Sequence, residues 1–433
     1  MQRRVSFLTL GTRGDVQPYL ALAVRLKAEG FAVNFGATEE FKNFVESNGV
    51  EYFNIGGSIE SFLREADFER AMSESLLANA PTLLQRGQQI VEEAGWRSWR
   101  EVQKADILLM NMNVSFGIDY AEALGIPAVM MALQPLDMTA EFPFCAYDGP
   151  DFGRTFNRIS HVVTALQQAY YDFPRNRLRR KLLGLKSRAK GGFFKDSQGR
   201  HLPTLYAYSP HVSAKPADWH NKTYVTGYWQ LEDRSSWTPP AELQAFLQAG
   251  KKPVYIGFGS MPFGAERNTK ILIDALRKWG GRAIVGRGWG GINIDELPDT
   301  VFPVENAPHD KLFEHVSAVV HHGGAGTTSA GLHKGLPTMI VPQTVDQPFW
   351  GKRVYDLGCG PEPVKIKKLT ADLLASRLID LENNPSYRKT AEALAQRLAQ
   401  EDGPGNAIKI INRLLPKEDP LPGEDDAAVL YSQ

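Results

Sequence analysis

The chain has 433 residues, 43% of them hydrophobic and 23% charged, which is too long for one typical domain and suits two α/β domains of ordinary composition. Its 49 basic residues balance 49 acidic ones, which excludes a general nucleic-acid binder, because neutralising a phosphate backbone needs a basic excess. Cys145 and Cys359 are the two cysteines and make neither a disulfide framework nor a metal-ligand pair; with no apolar stretch approaching ~20 residues and no signal-peptide core at the N-terminus, a cytoplasmic protein is expected, with membrane contact at most peripheral.

The first apolar run, residues 5–10, stops at Gly11 and predicts a buried parallel strand. Residues 18–28 then carry Leu20, Ala23, Val24 and Leu26 at helical spacing, closed by Gly30, and residues 31–36 predict a second strand, completing a βαβ unit. Further strands are predicted at 107–110 and 128–132. The pattern becomes irregular between Phe142 and Pro203, where helices and loops are expected to decorate the first domain. Pro216, Trp219, Pro239, Pro240 and Pro253 mark an interdomain connection. Beyond it the rhythm restarts, with strands at 254–258, 282–285, 318–321 and 338–341 and helices at 269–278, 371–381, 386–400 and 405–415. An acidic, Pro-containing tail follows from Lys417 and is expected to be disordered. Two α/β units joined by a long connection imply a cleft at the carboxyl ends of their strands.

The most informative stretch is His321-His322-Gly323-Gly324-Ala325-Gly326-Thr327-Thr328. It follows an apolar strand and opens a helix. Glycines let backbone amides approach an anion, the helix N-terminus adds oriented N–H groups, and Thr327, Thr328 and His322 offer further donors. Such a site stabilises a departing diphosphate; a glycine turn with no ligand is the competing reading. No Lys follows the glycines, so this is not a Walker loop, and Pro262 stands where a dinucleotide fingerprint beginning at Gly257 and Gly259 needs its third glycine. Downstream, Asp346 and Gln347 pair a carboxylate with an amide, a combination suited to gripping adjacent sugar hydroxyls.

Counting from His322, the residues Gly335, Pro337, Pro342, Asp346 and Gln347 fall at the offsets of the donor-binding signature of UDP-glycosyltransferases. The words around them resemble the sterol 3-β-glucosyltransferases more narrowly: Pro253 through Met261, Gly288-Trp289-Gly290-Gly291, His321 through Thr328, Asp346 through Gly351, Ser209-Pro210-His211, Lys215 through Trp219, and Gly11-Thr12-Arg13-Gly14-Asp15-Val16-Gln17-Pro18. The match is dense at 11–18 and from about Ser209 to Pro361, and thin between Phe41 and Pro203. The resemblance implies a GT-B fold, α/β with two Rossmann-like domains facing each other across a cleft. An acceptor-binding domain is expected at 1–212, a connection at 213–250, a nucleotide-sugar domain at 251–403, and a C-terminal helix at 404–416 packing back on the first domain, before the tail at 417–433. It also implies inversion at the anomeric carbon, with neither cofactor nor metal and UDP-glucose as donor substrate. Carried over by position, His322 and Thr327 contact the diphosphate, Gly324 and Gly326 give backbone access, Asp346 and Gln347 hold the sugar, Ser260 lies on the phosphate side, and His309 lies against the base. One departure concerns the ribose: many members place Glu eight residues after the histidine, and here that position is Ala330. UDP and dTDP donors therefore both stay open.

An acceptor hydroxyl titrates far above neutrality and needs a general base. The loop 11–15 contains no His; in sterol-type and antibiotic-type relatives an Asp here is the proposed base, and Asp15 is the matching residue. Its alternative role is helix capping, since Pro18 follows three residues later. Arg13 either orients Asp15 or is a solvated turn residue. On the acceptor side, Met110, Met112, Met130 and Met131 with Phe142, Phe144, Tyr170 and Tyr171 either line an apolar pocket or pack the core. Residues 154–190 carry ten Lys/Arg against one Asp, and either rest on anionic lipid or form a solvated basic face. The expected reaction is transfer of glucose from UDP-glucose to a hydroxyl of a sterol or similar lipophilic acceptor, giving a β-glycoside. The alternatives are a polyketide, carotenoid or glycopeptide glycosyltransferase using a UDP- or dTDP-sugar, and a non-catalytic or dehydrogenase-like nucleotide binder.

Overall fold

The computed structural model describes residues 2–56, 76–188, 193–232, 237–258, 265–286, 297–305 and 307–416; the expectations for Ser260, the Gly288–Gly291 turn and the tail from Lys417 lie outside them. Among the described residues twelve strands form two parallel sheets. The first takes β1 (Arg4–Leu8), β2 (Ala32–Ala37), β3 (Glu51–Asn54), β4 (Ile107–Met110), β5 (Ala128–Ala132), β6 (Thr204–Tyr206) and β7 (Thr223–Val225) in the order β3-β2-β1-β4-β5-β6-β7. The second takes β8 (Val254–Gly257), β9 (Ala283–Gly286), β10 (Val301–Val304), β11 (Ala318–His321) and β12 (Thr338–Ile340) in the order β10-β9-β8-β11-β12.

Both sheets are covered on both faces, and the sequence shows why. Along β1, Val5 and Phe7 enter one core with Ile107, Leu109, Val129 and Met131, while Leu8 enters the opposite core with Leu108, Met110 and Met130. Strand side chains alternate between faces, so a strand apolar at every position needs a layer on each side. The second sheet divides likewise, with Val254, Ile256 and Val320 on one side and Tyr255, Ile284 and Val319 on the other.

Two expectations change. The strand β7 pairs with β6 from Thr204↔Thr223 to Tyr206↔Val225, so the first sheet extends into the stretch read as connection. Its short β-branched run is masked in sequence by the surrounding Pro, Trp and turn residues. The first helix spans Arg13–Ala28, five residues earlier than its apolar periodicity suggests, because Thr12 caps it and Pro18 lies inside the helix, where it leaves the Gly14 carbonyl without its i+4 donor but does not end the element.

The chain returns to its starting lobe at the end. In the helix Gly403–Leu414, Ala407, Ile408 and Ile411 join the core formed by Val16, Leu20 and Ala23. Asp402 caps that helix by accepting from Gly405 N at 2.9 Å and pairs with Arg25 at 3.2 Å. Where the two lobe crossings meet, Gly403 lies on the Gly227 backbone; a Cβ at 403 would fall 2.3 Å from the Tyr228 carbonyl oxygen.

Candidate functional site

In open parallel sheets ligands bind where the strand order reverses, outside the carboxyl ends of the strands. The first sheet reverses between β1 and β4 and the second between β8 and β11. The loop after β1 holds Gly11 to Asp15, and the loop after β11 holds His322 to Gly326, so topology alone selects the two segments that carry the sequence motifs. They face each other: Ala325 packs against the core that contains Val16 and Tyr19.

Asp15 stands in the first turn of its helix. The amide and hydroxyl of Thr12 donate to its Oδ2 at 2.8 and 3.1 Å. The carboxylate leans over Gly11, where a Cβ would lie 2.3 Å from the same oxygen. The residue is thus a capping acid, three positions inside the cap Thr12 rather than the cap itself, and it is half-buried at the cleft. Burial raises its titration above the usual carboxylate range, and the two Thr12 bonds only partly oppose this. Arg13 does not hold Asp15: its Nε donates to Gln17 at 3.2 Å and its guanidinium lies over the Phe44 ring at 4.7 Å.

The strand-end that supports this loop was missed in sequence. Asn111 and Asn113, directly after β4, both donate to the Leu10 carbonyl, at 3.0 and 2.9 Å. Two amides closing an apolar strand within three residues are the available signal, since a side-chain amide placed there can bridge neighbouring loops.

On the opposite side, Gly323 adopts φ +97° and Gly324 N-caps the helix Ala325–His333. A Cβ at Gly324 would sit 2.7 Å from His322 Nε2, whereas one at Gly326 would meet nothing within 4 Å. Gly326 is exposed at the helix start, so its small size answers no packing need and leaves room for an anion at the N–H groups. Thr327 is partly open at the same helix start. Thr328 is not free to reach a ligand: it is buried and its hydroxyl donates to the Gly324 carbonyl at 2.9 Å. Burial pushes His322 down to about 4, and its Nδ1 has no hydrogen-bond partner. His309 is pushed down to about 4 as well, by burial first and then by the neighbouring His322 and Arg13; it stacks on Phe313 at 4.9 Å and shares a bond with the Tyr255 hydroxyl at 3.2 Å. Both rings are therefore neutral donors near pH 7, and the helix terminus supplies the positive field.

Asp346 follows Val345, whose φ of +56° is a strained conformation for a β-branched residue. The Trp350 indole donates to Asp346 Oδ2 at 2.6 Å, and burial pushes the carboxyl up to about 6, with Asp15 adding to the rise. Asp15, in the other lobe, thus bears on the Asp346 carboxyl across the cleft. Gln347 is placed differently from its expected reach: it is buried, and its Oε1 accepts from the Gln343 and Thr344 amides at 2.8 and 3.1 Å, so that oxygen shapes the loop. Ala330 packs beside the Tyr255 and Phe313 layer. Among the described residues no group of three or more His, Cys, Asp or Glu could hold a metal ion.

The methionines prove to be core: Met110 and Met130 lie in one layer and Met131 in the other, with only Met112 partly open. The basic stretch also changes meaning. Arg175 and Arg179 converge on buried Asp119 at 2.8 to 3.0 Å, Arg179 continues to Glu122 at 2.7 Å, and Arg188 is buried and donates to the Lys195 and Asp196 carbonyls at 2.6 Å. Arg175 and Arg179 knit the helix Val162–Lys181 to the helix Gly117–Leu124, Arg188 ties the chain after that helix to residues 195–196, and all three are unavailable to lipid. Lys190 lies outside the described residues.

Residues 5–130 match the glycosyltransferase family 28 N-terminal domain, and residues 285–414 match the C-terminal domain of erythromycin biosynthesis protein CIII-like proteins. Sterol 3-beta-glucosyltransferase UGT80B1 of Arabidopsis thaliana is 37% identical over 439 residues, covering 97% of this chain and 69% of the relative. The chain belongs to the sterol 3-beta-glucosyltransferase family of GT-B enzymes. A family relative from Aspergillus terreus is 34% identical over 428 residues, covering 95% of this chain and 30% of that longer protein. The glycotransferase of kitacinnamycin has the same fold, with a TM-score of 0.71 at 18% identity, covering 96% of this chain and all of that one. Family membership makes the protein a glycosyltransferase with the two-lobed GT-B architecture seen in its two sheets. Among the described residues no helix is long and apolar enough to cross a membrane.

Proposed function

We propose that the protein transfers glucose from UDP-glucose to the hydroxyl of a sterol or a lipid of similar shape, with inversion at the anomeric carbon. Asp15 accepts the acceptor's hydroxyl proton. The acceptor oxygen forms its bond to the anomeric carbon as the bond from that carbon to the diphosphate breaks, and the electron pair leaves with the diphosphate. The N-terminus at Gly324 to Gly326, the Thr327 hydroxyl and neutral His322 stabilise the departing charge. Asp346 accepts from sugar hydroxyls, and Gln347 acts mainly by holding the loop that presents Asp346. Ser260 is assigned to the phosphate side and His309 to the base side by position in the family motif.

The observation that carries this reading is the pair of half-buried carboxylates, Asp15 and Asp346, one from each switch-point loop and close enough for one to raise the other. A base needs a titration raised toward neutrality to accept a proton from an alcohol, and the sugar must lie between that base and the diphosphate cradle. The acceptor assignment rests on the 37% identity to the Arabidopsis enzyme over nearly the whole chain. Ala330 favours a second donor reading, because its methyl group cannot grip ribose hydroxyls and a dTDP-sugar then meets no penalty for its missing 2′ hydroxyl. Incubation with radiolabelled UDP-glucose and a panel of sterols, polyketides and carotenoids tests the acceptor, and competition by UDP against dTDP tests the donor. Labelling of a polyketide or carotenoid with none of a sterol overturns the sterol assignment.

A further inference from the structure

With three arginines of the basic stretch turned inward, a different feature of the same region stands out. Ile159, Val163, Leu166 and Phe173 recur at intervals of four, three and seven residues, the spacing of one helix face. They are 61%, 42%, 67% and 68% exposed, and Phe152 and Val162 extend the patch at 67% and 47%. His161 joins the helix Arg154–Ser160 to the helix Val162–Lys181 at φ −71° and ψ −6°, so near-helical spacing carries across the junction. Scattered exposed apolar residues need no explanation, whereas a contiguous stripe marks a contact surface.

We infer that this stripe is the surface by which the enzyme docks on a lipid bilayer. Arg154 and Arg158 stand exposed at the patch end that carries Phe152 and Ile159, placed to meet lipid phosphates while the apolar tips enter the acyl boundary. The inward face is already committed, through Asn157 on the first helix and Gln168, Arg175, Leu178 and Arg179 on the second, and among the described residues the stripe joins none of the lobe's hydrophobic cores.

The position also fits delivery of a lipid acceptor, and in that respect the inference rests on the proposed function. The helix Arg154–Ser160 is tied to the loop after β5: Asn157 donates to the Ala140 carbonyl at 3.3 Å, Phe144 N to Ser160 at 2.7 Å, and His161 Nε2 to the Phe142 carbonyl at 3.2 Å. Phe142 in turn packs on Phe349 at 5.1 Å, next to the Trp350 that holds Asp346. Phe142 and Phe349 thus link the helix that carries Ile159 to the loop assigned to the sugar.

The test is co-sedimentation of the full chain with phosphatidylcholine vesicles containing about one quarter phosphatidylserine. The wild-type protein sediments with them and stays largely bound at high salt, because apolar insertion is not screened. The triple variant Ile159→Ser/Leu166→Ser/Phe173→Ser loses about tenfold or more in partitioning, while transfer to detergent-dispersed acceptor stays within about twofold of wild type and transfer to vesicle-embedded acceptor falls. Phe173→Trp, a conservative exposed change that leaves folding intact, shows a blue-shifted emission on vesicle addition. Absence of wild-type sedimentation, equal sedimentation of the triple variant, or a wild-type dimer in light scattering that the triple variant dissolves would overturn the docking. Transfer to dispersed acceptor without vesicle binding defeats the docking alone; vesicle binding by a protein that labels no acceptor defeats the proposed function alone.

Discussion

The loop after β1 and the loop after β11 occupy equivalent places in their sheets and solve opposite electrostatic problems. The first holds a negative charge that is made uncomfortable: Asp15 is desolvated, leans on Gly11 and receives compensation only from Thr12. The second holds no charge of its own. Its histidines are kept neutral by burial, and its open face is backbone at a helix start. In the proposed reaction one loop takes up a proton and the other receives an anion without moving one. On that proposal the same topology serves as base or as leaving-group cradle, depending on whether side chain or backbone faces the cleft.

The comparison breaks most sharply at Asp15. Asp15→Asn keeps an oxygen for the Thr12 amide but removes the proton acceptor, so kcat should fall by about a thousandfold while nucleotide binding by calorimetry stays near wild type. A pure capping role predicts instead a loss of Tm with turnover preserved. A control lies outside both loops: Asp119→Ala strands Arg175 and Arg179 in the interior, which should cost about 3–5 kcal/mol of stability in denaturant unfolding and leave the donor affinity of the remaining folded protein unchanged.

The pH dependence sharpens the contrast. Asp346 titrates near 6 because burial disfavours its charged form. Ionised, it offers two charged acceptor oxygens, and protonation turns one of them into a donor, so kcat/KM for the donor should fall as pH drops below about 6 and level off above it. Raised titration also means that the folded state holds this proton more tightly than the unfolded chain. The associated stability is present at low pH and is lost as pH rises through 6. Asp346→Asn should accordingly weaken donor use while raising Tm at pH 8. A donor profile flat down to pH 5 would remove Asp346 from the sugar site. His322, pushed down to about 4, should contribute no acid limb in this range.

The two loops also differed in how openly the sequence displayed them. Strands β4, β5 and β11 fall on the residues their apolar runs indicate, because a parallel strand covered on both faces is apolar at every position. The placement of His322, Gly324 and Gly326 between a strand end and a helix start was legible, since a glycine run after an apolar strand is local in sequence. Asn111, Asn113 and Trp350 were not, because their meaning depends on which loop or carboxylate lies across from them. Arg175 and Arg179 of the helix Val162–Lys181 were misread for a related reason. A buried Arg paired with a buried Asp119 carries the same letter as a solvated one, and its partner is more than fifty residues away. The exposed apolar stripe on the same helix was hidden by that charge.

The smallest expected effect is the most discriminating for the second loop. Gly326→Ala adds a methyl group where nothing lies within 4 Å and replaces a poor helix former with the best, so stability should hold or rise by up to about 1 kcal/mol. If the space belongs to a diphosphate, donor KM should rise severalfold while the fold becomes no weaker, a combination that a packing role cannot produce. Gly403→Ala is the counter-case, since its methyl group meets the Tyr228 carbonyl oxygen at 2.3 Å and should lower Tm by displacing the returning helix from the first lobe. A glycine whose replacement harms binding but not folding is reserved for a ligand; one whose replacement harms folding is reserved for the chain itself. Finding that Gly326→Ala lowers Tm and leaves donor KM unchanged would place Gly326 with Gly403 and remove the anion from the helix start.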